Sequence, residues 1–169
     1  TDDGERTVVT GNQNLAGLNV HREITVPATG NEDFARTVDV FENPTGTAIT
    51  TTVRIVGNLG SDAATTVFAT SDGDTVIETG DQWIGTDDGD GTGTPAIVHY
   101  IHGPAGIQPT SVIRTGDNIE WTYQLTVPAG QTARLAHFTV LAQHRADAIA
   151  AANTLVTSSG FGGQAAAFL

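Results

Sequence analysis

The sequence predicts an all-β protein, an antiparallel β-sandwich with an amphipathic helix at its C-terminal end. Apolar and polar residues alternate along several segments, which is the period of a strand with one buried face. Turn-forming residues recur about every eight to twelve positions, as they do in sandwiches. We expect a β-sandwich domain over residues 1–141, and a helix and tail over residues 142–169 packed on the sandwich or on a neighbour.

Residues 34–62 show the alternation most clearly. The odd-numbered residues from Ile49 to Ile55 share one predicted face, and the even-numbered residues from Thr50 to Arg54 share the other. Pro44-Thr45-Gly46, between the two strands, is typical of a tight turn. The pattern therefore predicts strands at residues 34–41 and 48–57, joined as a β-hairpin.

Shorter strands flank this region. Asp72-Gly73 between two β-forming stretches predicts a second hairpin. A polar turn is expected at residues 11–14. The predicted short strands are residues 6–10, 18–26, 65–69, 75–78, 82–86, 96–102 and 110–114.

The last two predicted strands form the core. Along residues 119–127 the odd-numbered positions, from Ile119 to Val127, are all apolar, which predicts that they are buried. Residues 132–141 are apolar on both faces, which is typical of a central strand.

The end of the chain changes period. Ala148, Ile149, Ala152, Leu155 and Val156 recur at helical spacing, and residues 143–156 contain neither Gly nor Pro. This pattern predicts one amphipathic helix against the sandwich. Residues 164–169 form a short apolar segment, for which packing on its own domain and docking on another molecule are both open.

Composition excludes several classes of function. Acidic residues outnumber basic ones 19 to 7, giving a formal net charge of −12 at pH 7, which disfavours nucleic acid and anionic membranes as partners. No apolar run approaches the ~20 residues of a membrane span. The absence of Cys excludes disulfides and thiolate chemistry. The absence of Lys removes the usual guard of exposed sheet edges.

Three carboxylates lie in the glycine-rich run at residues 85–93. Asp87, Asp88 and Asp90 are close enough in sequence to wrap Ca²⁺, an ion that prefers oxygen ligands. The run lacks the spacing and closing Glu of an EF-hand, and the same residues are also typical of a solvated loop. We predict a calcium site there, with the solvated loop as its alternative.

Other candidate sites are weaker. His99 and His102 are three apart, so on a strand they point to opposite faces, and no third zinc ligand is evident. Trp83 and Tyr100 are the aromatic residues that the core pattern leaves free for a carbohydrate platform, although core packing is favoured for most of the aromatic residues. No nucleophile elbow occurs, and the glutamates lie on wet faces or beside turns. We therefore expect no enzymatic activity.

The turns carry a resemblance to a known family. Asn43-Pro44-Thr45-Gly46 and Val127-Pro128-Ala129-Gly130-Gln131-Thr132 resemble turns of the immunoglobulin-like conserved-repeat domains of large secreted bacterial surface proteins. The similarity runs in pattern over residues 18–141, and the Asp-Gly run and helical tail depart from it. It implies an immunoglobulin-like sandwich, secreted or at the cell surface, with a structural or adhesive role and no catalytic residue.

These observations lead to one functional expectation and one alternative. We expect a non-enzymatic module of a cell-surface filament, sheath or adhesin stalk, forming a homo-oligomer or filament through strand edges or terminal segments. Residues 6–10 or 164–169 would be inserted into a neighbour. The alternative is a calcium-dependent module that binds carbohydrate or protein.

Overall fold

The computed structural model describes residues 7–28, 33–89, 91, 95–157 and 160–161. Within these ranges the chain forms one α-helix, α1 (Arg145–Leu155), a short 3-10 helix at Asp62–Ala64, and a series of strands. The strands are β1 (Thr7–Val9), β2 (Gln13–Leu15), β3 (Leu18–Thr25), β4 (Asp33–Glu42), β5 (Ile49–Asn58), β6 (Thr66–Thr70), β7 (Trp83–Asp87), β8 (Ala96–Tyr100), β9 (Ser111–Thr115), β10 (Asn118–Val127), β11 (Thr132–Ala142), β12 (Val156–Thr157) and β13 (Gly160–Phe161).

The strands form two main sheets with antiparallel pairing. The large sheet has the order β1-β3-β4-β11-β8-β7-β6, and β2 also pairs with β3. The small sheet has the order β5-β10-β9. β12 and β13 form a separate two-residue ladder. The all-β class with one C-terminal helix is confirmed.

Two apolar clusters divide the molecule into layers. The first cluster lies between the sheets, where the odd-numbered residues of β10 from Ile119 to Val127 pack against Leu18, Phe41 and Leu135 of the large sheet. All five of these β10 residues are buried, as their alternation predicts. The second cluster lies on the other face of the large sheet, under α1. The large sheet is therefore covered on both faces.

The helix lies within the residues that the sequence predicts, but Val156, expected on its apolar face, begins β12 instead. Ala148, Ala152 and Leu155 are fully buried against the large sheet, and Ile149 packs beside them. These positions follow the i, i+4, i+7 spacing of one helical face. No helix in the described part of the chain has the length and hydropathy needed to cross a bilayer.

The predicted hairpin between residues 34–41 and 48–57 is wrong in its pairing, although both strands exist. β4 pairs with β3 and β11 in the large sheet, whereas β5 pairs with β10 in the small sheet. The connection therefore crosses from one sheet to the other. Asn43 stabilises this crossing, because its buried Nδ2 donates to the carbonyls of Thr47 and Val127 at 2.8 and 2.9 Å.

The predicted hairpin at Asp72-Gly73 is also wrong. β6 ends at Thr70 and pairs with β7, and residues 75–78 form no strand. The Thr70 hydroxyl donates to Asp72 and Asp74 at 2.7 and 3.0 Å, so these carboxylates cap a local turn. β7 rather than residues 75–78 then supplies the backbone partners of β6.

One hairpin, next to the polar turn expected at residues 11–14, was not predicted from the sequence. Residues 13 and 14 of that expected turn belong to the strand β2. β2 and β3 pair through a two-residue turn at Ala16 and Gly17, which have φ values of 53° and 87°. Positive φ at both central residues is the geometry of the hairpin turns that match strand twist. The Ala16-Gly17 pair is a weak signal for that turn, because alanine rarely adopts positive φ.

Candidate functional site

The strand β5 leaves one long edge of the small sheet open. All ten of its residues pair with β10 on one side, and no described strand pairs with the other side. Its faces alternate as predicted: Ile55 is buried and Val53 half-buried, whereas Arg54 and Val56 are exposed. A ladder of this length offers unpaired backbone donors and acceptors to another strand. Lysine, which commonly guards such an edge, is absent from the sequence.

A groove runs beside this edge, between β5 and the β2–β3 hairpin of the large sheet. It consists of two adjoining cavities of about 270 and 230 Å³. We call it the β5 groove. The residues that line both cavities are Leu15, Val20, Phe41, Val53 and Arg54. Four of these five are apolar, so the groove has an apolar floor directly next to an unpaired strand.

The lining of the larger cavity of the β5 groove includes the ion pair of Arg22 and Asp39. Arg22 donates through Nε and its terminal nitrogen to the two carboxylate oxygens of Asp39, at 2.6 and 2.8 Å. His137 Nε2 lies 3.5 Å from the same carboxylate. Burial raises the pKa of Asp39, but the hydrogen bonds from His137 and Arg22 outweigh it and lower the pKa to about 2. Asp39 is therefore ionised at neutral pH.

The lowered pKa of Asp39 predicts a specific loss of stability in acid. The folded-state pKa of about 2 lies below the ordinary value of 3.8, so the carboxylate stabilises the fold above pH ~4 and loses this effect as the pH falls through 2. We expect Asp39→Asn to remove about 2 kcal/mol of unfolding free energy at pH 6. The difference between the two proteins should shrink towards pH 2 in urea denaturation. A difference independent of pH would contradict this role.

A second histidine lies deeper between the sheets. His99 is 8 % exposed, and its ring centroid is 6.2 Å from that of Trp121. Burial, with a smaller contribution from His137, lowers the pKa of His99 to about 4. His99 is thus neutral at physiological pH and belongs to the core. His102 is also buried, beyond the end of β8.

The predicted calcium ligands lie at the end of β7. Asp87 is 2 % exposed, and its Oδ2 accepts from Arg145 Nε at 2.9 Å. The Asp88 side chain accepts from the Gly91 N–H at 2.9 Å, and its carbonyl accepts from Arg145 at 2.7 Å. Asp90 lies outside the described residues. Arg145 is therefore the cationic partner of this loop in the structure.

Calcium binding at Asp87, Asp88 and Asp90 stays a prediction. The described ranges contain no group of three or more His, Asp or Glu side chains that could hold a metal ion. If the ion binds, adding chelator should lower the melting temperature by several degrees, because a ligand that binds only the folded state stabilises it. An unchanged melting temperature with chelator and with added Ca²⁺ would contradict the prediction.

The aromatic candidates for a carbohydrate platform are buried. Trp83 and Tyr100 are 6 % and 5 % exposed and face each other across β7 and β8 in the cluster under α1. Neither ring is free for a carbohydrate platform, and core packing holds for both, because β7 and β8 are central strands covered by the helix. Of the glutamates, Glu120 pairs with Arg54 on the outer face of the small sheet.

Sequence reasoning missed the residues that shape the groove. Leu15, Val20 and Phe41 come from three separate strands of the large sheet, and Val53 comes from the small sheet. The Arg22–Asp39 pair joins neighbouring strands in direct register. An Arg and an Asp inside otherwise alternating strands are the only signal that the sequence contains for this pair.

Comparisons with known proteins identify no family. No protein-family model and no curated protein matches the chain. One solved structure with a similar course of the backbone is described as a putative kojibiose phosphorylase from human microbiome. It has a TM-score of 0.43 and 12% sequence identity, and the match covers 76% of this chain and 18% of that one.

Proposed function

We propose that this chain is a non-enzymatic assembly module, which joins copies of itself by strand addition at the open edge of β5. The observation that carries the proposal is the combination of a ten-residue unpaired edge with an apolar groove beside it. An incoming strand would gain main-chain hydrogen bonds from β5 and bury alternate side chains in the groove.

The proposed setting follows from the same features. We propose a secreted or cell-surface protein, part of a filament, sheath or adhesin stalk, built on an immunoglobulin-like sandwich. Support for the sandwich comes from the two antiparallel sheets with a shared apolar cluster between them. The net charge of −12 favours solubility of the separate subunits, so specific contacts rather than general adhesion would drive assembly.

The two candidate donor segments differ in what the structure shows of them. β1, within the predicted donor at residues 6–10, already pairs with β3 of its own chain over three residues. It would have to leave that short ladder before it could join a neighbour. Residues 164–169 lie outside the described residues. They contain no charged side chain, which suits an apolar groove.

A charge placed in the β5 groove should prevent assembly. We expect Val53→Lys to leave the protein monomeric where the unaltered chain forms oligomers or filaments, because an inward-pointing lysine on an edge strand opposes strand addition. Light scattering and electron microscopy across a concentration series would measure this. At least a tenfold higher concentration should be needed for assembly of the variant.

Val56→Lys is the matched control. Val56 lies on the same strand but on the solvent face, where it is 65% exposed. Melting curves first establish that both variants fold. The proposal fails if the unaltered chain is strictly monomeric at high concentration, or if Val53→Lys assembles as well as Val56→Lys.

A further inference from the structure

A second strand edge is open in the middle of the large sheet. β11 pairs with β4 from Thr132 to Leu141, but its pairing with β8 begins only at Phe138. After β8, the N–H groups of Ile101 and His102 donate to the Gln82 carbonyl, on the β7 side of the strand. Residues 132–137 of β11 therefore have no described strand partner on the β8 side.

A cavity of about 310 Å³ lies against this edge. Four consecutive residues, from Arg134 to His137, line it. Since consecutive strand residues point to opposite faces, a cavity that contacts all four follows the edge of the strand rather than one face. We call it the β11 slot. It lies where β8 would continue if it kept pairing with β11.

The walls of the β11 slot are mainly apolar. The small sheet contributes Ile55 and Tyr123, and Val156 and the loop that starts at Gly103 form the opposite side. The Tyr123 hydroxyl already donates to the Ile101 carbonyl at 2.8 Å, so the ring presents carbon atoms to the slot. No Asp or Glu is among its lining residues, although acidic residues dominate the chain. Arg134 is the charged residue in this lining, and the apolar walls suit an extended apolar segment.

We propose that the β11 slot binds residues 164–169 of a second copy of this chain as an added strand. The segment Gln164-Ala165-Ala166-Ala167-Phe168-Leu169 is uncharged and apolar. Its six residues span ~20 Å when extended, which is the length of the six unpaired β11 residues. Phe168 or Leu169 would fill the apolar part of the slot. This proposal rests on self-association, the proposed function, and adds a second contact to the one at β5. It assigns residues 164–169 to the slot, which leaves residues 6–10 as the donor for β5.

A contact between a tail and a slot is heterologous. Each copy has one slot and one tail, so repeated contacts form an open chain of subunits unless the rotation closes a ring. Ile55 of β5 lines both the β5 groove and the β11 slot, but Val53 lines only the groove and Gly103 lines only the slot. The two contacts can therefore be removed separately by substitution.

Site-specific photo-crosslinking in the full chain tests this proposal. A benzophenone amino acid replaces Phe168, and equal amounts of unlabelled and ¹⁵N-labelled protein are mixed before illumination. Mass spectrometry should identify crosslinks between a light and a heavy chain at residues 101–107 or 134–137. Crosslinks only within one chain, or only at other residues, would overturn the proposal.

A side chain built into the slot should remove the contact. A Cβ on Gly103 would lie 3.8 Å from Val156 Cγ1, an ordinary contact, so Gly103→Leu extends into the slot without backbone strain. We expect at least a tenfold loss of intermolecular crosslinks. Gly80→Leu is the control, because a Cβ there meets nothing within 4 Å. The proposal is overturned if Gly103→Leu and Gly80→Leu lose intermolecular crosslinks equally, or if Gly103→Leu loses none.

Failure here is distinguishable from failure of the proposed function. One result would be that Val53→Lys abolishes the assemblies seen by electron microscopy, while the unaltered protein forms no crosslinks at the slot. Assembly through β5 is then supported and the slot proposal is overturned. A strictly monomeric chain without crosslinks overturns both. Slot crosslinks that persist in Val53→Lys, and disappear in Gly103→Leu, support the slot as an independent contact.

Discussion

Replacement of Arg145 by alanine is expected to lower the free energy of unfolding by about 3 kcal/mol. The Asp87 carboxylate is 2 % exposed and accepts from Arg145 Nε at 2.9 Å, so the substitution leaves a buried charge without this partner. It also removes the hydrogen bond to the Asp88 carbonyl at 2.7 Å and the guanidinium that lies 5.4 Å from the Phe68 ring centre. Urea denaturation at pH 7 measures the loss.

The structure offers a matched control for this prediction. Arg54 also pairs with a carboxylate, that of Glu120, but its side chain is 62% exposed. We expect Arg54→Ala to cost much less than Arg145→Ala, since exposed ion pairs contribute little. In the double variant Asp87→Ala with Arg145→Ala, the total loss should be smaller than the sum of the two single losses. Equal costs for Arg54→Ala and Arg145→Ala would contradict the importance of burial.

Asn43→Ala should destabilise the fold by a similar amount, about 3 kcal/mol. Asn43 is fully buried at the crossing between the sheets. Its Nδ2 donates to the Thr47 and Val127 carbonyls, and its Oδ1 accepts from the Thr45 N–H at 2.9 Å and the Thr45 hydroxyl at 2.8 Å. Alanine removes these bonds and leaves buried backbone groups unsatisfied. Thermal and urea unfolding would both report the change.

An exposed asparagine with comparable bonds serves as the control. Asn58 donates to Asp117 at 2.7 Å and accepts from the Gly60 N–H at 2.9 Å, but both bonds are at the surface. Water can replace these partners, so we expect Asn58→Ala to cost about 1 kcal/mol or less. If Asn43→Ala costs no more than Asn58→Ala, the crossing does not depend on the buried amide.

Strand positions and core faces could be predicted because they depend on local pattern. The odd-numbered residues of β10 from Ile119 to Val127 are all buried, and β11 lies inside the large sheet, paired on both sides from Phe138 to Leu141. The helix Arg145–Leu155 lies within the predicted residues 143–156. In each case the period of two or of 3.6 is a property of the backbone itself, so a single segment carries the information.

Pairing partners could not be predicted in the same way. Asn43-Pro44-Thr45-Gly46 reads as a hairpin turn, yet the Asn43 side chain bonds the Val127 carbonyl, 84 positions away, and directs β5 to the other sheet. Asp72-Gly73 reads as a hairpin, yet β6 pairs with β7. Turn residues set the local chain direction, but the neighbour of a strand is decided by distant segments that compete for the same edge.

The candidate site also divides into features that the sequence predicts and features that depend on distant pairing. An unguarded edge follows from the lack of lysine in the sequence, but nothing in the sequence indicates which edge remains open. The groove requires Leu15, Phe41 and Val53 to meet, and they belong to three strands in two sheets. Trp83 and Tyr100, the aromatic residues that the alternation left free, are buried because α1 covers their side of the large sheet.

By itself, the sequence determined that this protein is rich in strands with one C-terminal helix, and which faces of β5 and β10 are buried. Those properties follow from side-chain alternation, which is local. Only the tertiary structure decided that β5 and residues 132–137 of β11 keep an unpaired edge with a cavity beside it. The physical reason is that an edge is open only when no other segment of the folded chain satisfies its backbone hydrogen bonds, and that depends on every long-range pairing at once.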